Sequence, residues 1–149
     1  MKKLALALSA VLLSASAVVA ADDPIAVRKA LMQAAGAAAG ASGAMMKGDL
    51  AYSPVVGKAA IAALNAVSHS VGDYFPDGSD MGADTTAAPK IWEDMAGFKN
   101  EIGEFMEKTS AAAAASGKDG PADLDAFKAA VGPVLGMCKE CHETYRVKK

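Results

Sequence analysis

Near its C-terminus the chain reads Cys138-Lys139-Glu140-Cys141-His142, which holds both of its cysteines and one of its two histidines. Residues three apart on a helix share a face, so both thiols can meet one flat partner while the adjacent imidazole reaches its centre. Two thiols that add to the two vinyl groups of one porphyrin, followed at once by a histidine for the iron, are the attachment motif of haem c. Three other chemistries compete for these residues. An oxidising compartment would let the pair close as a small disulfide. A zinc ribbon needs four ligands, and outside this cluster only His69 remains. A thioredoxin-like redox pair belongs beside a strand-helix-strand pattern that this sequence lacks. The spacing favours one covalent haem c on Cys138 and Cys141, with His142 as the proximal iron ligand.

The opposite axial position decides what such an iron does. A methionine there makes a six-coordinate electron carrier of raised potential, whereas an open position leaves the iron free to bind small gases. If the last helix runs antiparallel to the first, Met32 and His142 both fall within ~6 to 12 Å of the same end, at 1.5 Å per residue. Met32 is therefore the expected distal ligand. Met45 and Met46 lie ~20 Å further along and read as core fillers. His69 and Trp92 belong to the same end: His69 as a partly exposed structural residue, with iron ligation the lesser alternative, and Trp92 as a wall against the porphyrin edge. Arg28, Arg146 and Lys148 are cations that could pair with the propionates. A peroxidase-like enzyme would need a distal acid-base residue, which only His69 could supply, so an electron-transfer protein is expected rather than an enzyme.

The elements that must position these residues are helices. No stretch alternates apolar and polar residues over strand length, while four stretches repeat apolar residues every three or four positions. The first opens with Asp23 as N-cap and Pro24 at the first helical position, and stops at Lys47 before Gly48. Its inward stripe is Arg28, Leu31, Met32, Ala35, Ala39, Ser42 and Met45 or Met46. The second starts at Ser53-Pro54 and runs to about Val71, with Val56, Ala60, Leu64, Val67 and Val71 inward. Residues 72–88, with Pro76 and Gly78, read as loop. Pro89 starts the third, whose seam is Ile91, Met95, Phe98, Ile102, Phe105 and Thr109. The fourth begins near Asp123 and carries Leu124, Phe127, Val131, Val134 or Leu135, Cys138, Cys141, His142 and Tyr145 on one stripe. Pro133 inside it predicts a kink or a lost hydrogen bond one turn before the cysteines. Short connections favour antiparallel neighbours, so the expected fold is all-α, an up-down-up-down four-helix bundle. With 1 Trp, 3 Tyr and 4 Phe, and alanine on many inward faces, its core is thin. A porphyrin would hide several hundred Å² of apolar surface, worth on the order of 10 kcal/mol as an upper bound, and so would complete that core.

Lys2 and Lys3 precede an apolar run from Leu4 to Val19 that ends in Val18-Val19-Ala20, the pattern of a secretory signal cleaved after Ala20. The run is short for a membrane anchor and lacks stop-transfer charges. Residues 1–20 are thus a signal peptide, and residues 21–149 form one domain exported to the periplasm. Removing Lys2 and Lys3 from 15 cationic and 17 anionic residues leaves a net formal charge of −4. With no basic block outside the C-terminal tail, nucleic acid is not an expected partner. Membrane insertion is not expected either.

Over nearly all of the mature length the chain resembles the class II c-type cytochromes, the cytochrome c prime family. The haem motif close to the C-terminus, continued as Glu143-Thr144-Tyr145-Arg146, is the most specific point of likeness. Pro89-Lys90-Ile91-Trp92 resembles that family's third-helix start, Gly132-Pro133 its approach to the cysteines, and Arg28-Lys29-Ala30-Leu31-Met32 its first-helix segment. The resemblance implies two branches. In one, five-coordinate high-spin iron binds nitric oxide or carbon monoxide; in the other, low-spin iron takes the first-helix methionine, whose position Met32 matches. Small neighbours at Ala35, Gly36 and Ala39 leave room for Met32 to approach the iron and favour the low-spin branch. The resemblance also implies redox partner proteins in the periplasm, and a homodimer to which the small faces at Gly36 and Gly40 could contribute.

Overall fold

The structure, a computed structural model, describes residues 23–82 and 84–147. The expected signal peptide lies outside the described residues. Four long helices, α1 (Pro24–Lys47), α2 (Pro54–Val71), α4 (Met95–Ser116) and α5 (Leu124–Tyr145), form the bundle, and a one-turn helix, α3 (Lys90–Glu93), precedes α4. Among the described residues there are no strands, only an isolated antiparallel bridge between Ala87 and Arg146. No described helix is long and apolar enough to cross a membrane.

The ends of α1 follow from local chemistry. Asp23 accepts the Ile25 backbone N–H at 2.9 Å, and Pro24 needs no hydrogen bond at the first position. Gly48 closes the helix at φ 85°, a left-handed conformation that a side chain would strain. At α2 the expected cap is only half realised: Pro54 starts the helix, yet the Ser53 side chain makes no capping bond.

The third helix departs from expectation. The continuous run from Pro89 is broken at Asp94 (φ −136°, ψ 60°), whose carboxylate accepts the Gly97 N–H at 3.0 Å and starts α4 afresh. Gly97 permits this, because a Cβ there would stand 2.5 Å from that carboxylate. The signal was present as an Asp followed three residues later by a glycine, but the seam Ile91, Met95, Phe98 masked it. α5 continues through Pro133, whose nitrogen has no N–H to donate, so the helix goes on with that hydrogen bond missing.

α1 packs on α2, α2 on α4, and α4 on α5, with α5 returning more thinly to α1. The central core is Met45, Ile61, Leu64, Phe127, Val131 and Val134, with Ala38, Ala60 and Ala112 filling between. Val56 is not part of it: the residue is exposed, and Gly57 faces inward instead. Phe127 lies 3.1 Å from where a Gly57 Cβ would stand, so the first turn of α2 buries backbone, which a search for apolar side chains does not register. Ile61 and Met137 are likewise buried without having been placed on the expected stripes.

A second, smaller cluster sits at the end of the bundle that carries the cysteines. It consists of Ile91, Phe98 and Tyr145, with Phe75, Trp92, Met95, Ile102 and Cys141 packed against it. Phe98 joins Phe75 and Tyr145 edge-on, with ring centroids 4.6 and 5.2 Å apart.

Candidate functional site

The last turns of α5 are held by backbone as well as by packing. Ala88 N–H donates to Tyr145 O at 3.0 Å and Val147 N–H to Thr86 O at 2.9 Å, which clamps the end of the helix to the long loop. Beside this clamp lies a cavity of about 750 Å³ lined by Thr86, Leu135, Cys138, Lys139, His142, Glu143, Arg146 and Val147. Its size falls in the ~300–1,000 Å³ range of cofactor sites. Cys138, His142 and Arg146 are thus brought together as the sequence implies.

Both thiols are free and partly buried, and they have different neighbours. Cys138 lines the cavity, with Sγ 3.9 Å from Val134 O, while Cys141 packs against the aromatic cluster. Burial raises both thiols, Cys141 to about 11 with help from the charges of Glu101 and Cys138. Such thiols are protonated at neutral pH and poor nucleophiles for disulfide exchange. His142 moves the other way, lowered by burial and then by the positive charge of Arg146. It is neutral at pH 7, the form in which imidazole binds a metal.

Haem c fits these residues. Cys138 and a neutral His142 line the cavity with Cys141 one helical turn from Cys138, Leu135 and Val147 offer apolar surface, and Arg146 adds positive charge to the lining, where Lys139 pairs with Glu143 at 3.7 Å.

The remaining expected residues are placed elsewhere, apart from Lys148, which lies outside the described residues. Arg28 is buried, and its guanidinium holds the loop: Nη1 donates to Tyr74 O (2.7 Å) and Ser79 Oγ (2.8 Å), Nη2 to Ser79 O (2.8 Å) and Thr85 Oγ1 (3.4 Å). It also stacks over Phe75 at 4.7 Å and Trp92 at 5.8 Å. Trp92 donates its Nε1–H to Pro76 O. Arg28 and Trp92 therefore meet each other, and neither lines the cavity of His142. Met32 is half-buried on α1, one turn beyond Arg28, and no α1 residue lines that cavity. His69 is exposed and bonded to Ser110 Oγ at 3.1 Å beside a separate cavity between α2 and α4, so geometry gives no support to a bis-histidine iron. Sequence reasoning missed Thr86 and Val147, which a loop and a chain end contribute without any periodic signal.

An all-helical bundle with a cysteine-histidine cavity at the end of its last helix defines a monohaem c-type protein. The family model for Cytochrome C' matches residues 23–146. Cytochrome c' of Rhodopseudomonas palustris is 40% identical over 139 residues, covering 93% of this chain and 92% of that protein. Cytochrome c-556 of Agrobacterium tumefaciens (strain II Chrys) is 34% identical over 125 residues, covering 82% and 95%. The solved structure of cytochrome c' from Rhodopseudomonas palustris superposes with a TM-score of 0.77 at 37% identity, over 87% of this chain and 99% of that one. The chain belongs to the cytochrome c' family, whose cofactor is one covalently attached haem c.

Proposed function

We propose that this protein is an exported cytochrome that passes single electrons between redox partner proteins of the periplasm, its haem joined to Cys138 and Cys141 and its iron held by His142 and Met32. The haem supplies ferric–ferrous chemistry when bound. The chain's own residues attach it, orient it and limit its contact with water. The observation that carries the reading is the single turn of α5 on which a cavity-lining, neutral His142 follows two partly buried thiols. Burial, and then the charge of Arg146, favour the unprotonated imidazole, and Arg146 is suited to a propionate.

Met32 as the second axial ligand is supported by its half-buried position near the start of α1 and by the space around Gly36, one turn on, where a Cβ would meet nothing within 4 Å. Export follows from reading residues 1–20 as a signal peptide and residues 21–149 as the mature domain. A homodimer using the exposed Gly36 and Gly40 belongs to the same reading. The second reading is an open, five-coordinate iron that binds nitric oxide or carbon monoxide, and what favours it is the absence of α1 side chains from the lining beside His142.

The ferric absorption spectrum separates the two. Iron–thioether ligation gives a weak red-region band, expected in the wild type and lost in Met32→Ala. A wild type without that band, whose reduced form takes up carbon monoxide rapidly, would replace the carrier by the gas-binding reading.

A further inference from the structure

Glu101 lies on α4 one turn beyond Phe98, on the side that packs against α5. Its Oε1 is buried and accepts no hydrogen bond among the described residues. The charged groups that face it are Glu104 and Lys108 on its own helix and Glu140 on α5. Its charge acts in turn on the Cys141 thiol and the Tyr145 hydroxyl. Lys108 does not neutralise it alone, being 3.6 Å from Glu104 and 2.8 Å from Met137 Sδ. Burial first, then Glu104 and Glu140, push this carboxyl above the usual carboxylate range, and Lys108 opposes them.

A buried carboxylate oxygen without a donor is an expensive way to build a helix interface. It suits a group that must change charge. We infer that Glu101 is a proton-binding site coupled to the haem: when the site accepts one electron from a donor protein, Glu101 holds a solvent proton more tightly and takes up a fraction of a proton, at most about half for a tenfold change in affinity. The inference rests on haem attachment through Cys141 and is independent of the sixth ligand. One O–H bond forms at the carboxylate, and no bond to sulfur or iron changes.

The sign follows from charge. An added electron makes the neighbourhood more negative, so Glu101 binds its proton more tightly in the reduced protein, with a change on the order of tenfold. The midpoint potential therefore falls as pH rises between the two proton-binding midpoints, by about 59 mV for each tenfold difference in proton affinity. Below that window Glu101 is neutral in both states, and above it ionised in both.

Potentiometry of the haem-loaded protein from acid to neutral pH tests this, comparing wild type with Glu101→Gln. The two curves are expected to coincide at acid pH and to separate through the window, with the wild type lower above it. Parallel curves at every pH would overturn the proposal. If Glu101→Gln does not load haem, redox-difference infrared spectroscopy of the wild type serves instead: a protonated-carboxyl band must grow on reduction within the window, and a flat spectrum there overturns the proposal. A wild type with no covalently bound haem fails earlier, at the attachment itself, and is thereby distinguished.

Discussion

Single side chains at the cysteine end of the bundle divide the labour in a way their types only partly disclose. His142 and Cys138 meet at the cavity as their spacing implies, because that spacing is a property of one helix. Arg28, a candidate partner for propionates, is the hub of a loop 46 to 57 residues further along the chain, a role that no local pattern encodes. Its removal should be felt in stability. Arg28→Ala takes the guanidinium donors from the Tyr74 and Ser79 carbonyls and exposes the faces of Phe75 and Trp92, at about 2–4 kcal/mol in denaturant unfolding of the haem-loaded protein. A loss within about 0.5 kcal/mol would mean the loop is held by other contacts.

The helices were legible wherever their ends carry their own chemistry. Asp23-Pro24 and Gly48 bound α1 at the residues expected, because capping and left-handed glycine act within a few positions. The break at Asp94 escaped notice because the apolar seam continues across it in sequence while the backbone turns. Val56 was placed inward for the opposite reason: Gly57, which has no side chain to reveal it, is what Phe127 covers. Caps can be told apart by mutation. Asp23→Ala should cost about 1 kcal/mol, since a real bond to Ile25 is lost, whereas Ser53→Ala should change stability by no more than a few tenths. Equal losses in thermal or urea unfolding would contradict the difference between the two caps.

At the scale of the molecule, bundle, cavity and motif agree, and the alanine-rich interior explains why. The central core runs through Phe127, Ile61 and Leu64, but the cysteine end relies on a smaller aromatic cluster beside a cavity of about 750 Å³. On the proposed attachment a porphyrin would complete that end of the core. The fold class was readable because four amphipathic periods and short connections leave few alternatives. Which side chains reach the iron's far face was not, since that depends on how α1 is rotated against α5, and those two helices pack more thinly than α1 on α2, α2 on α4 or α4 on α5.

The most direct measurement exploits Lys139, which lies between the two cysteines. Trypsin acting on the unfolded protein cuts after Lys128, Lys139 and Arg146, giving fragments 129–139 and 140–146. Haem joined to both Cys138 and Cys141 should hold the two fragments together as one coloured species, whose mass includes a single haem and which survives strong reductant. Two colourless fragments, or a colourless pair that reductant separates as a simple disulfide, would contradict covalent haem at this site.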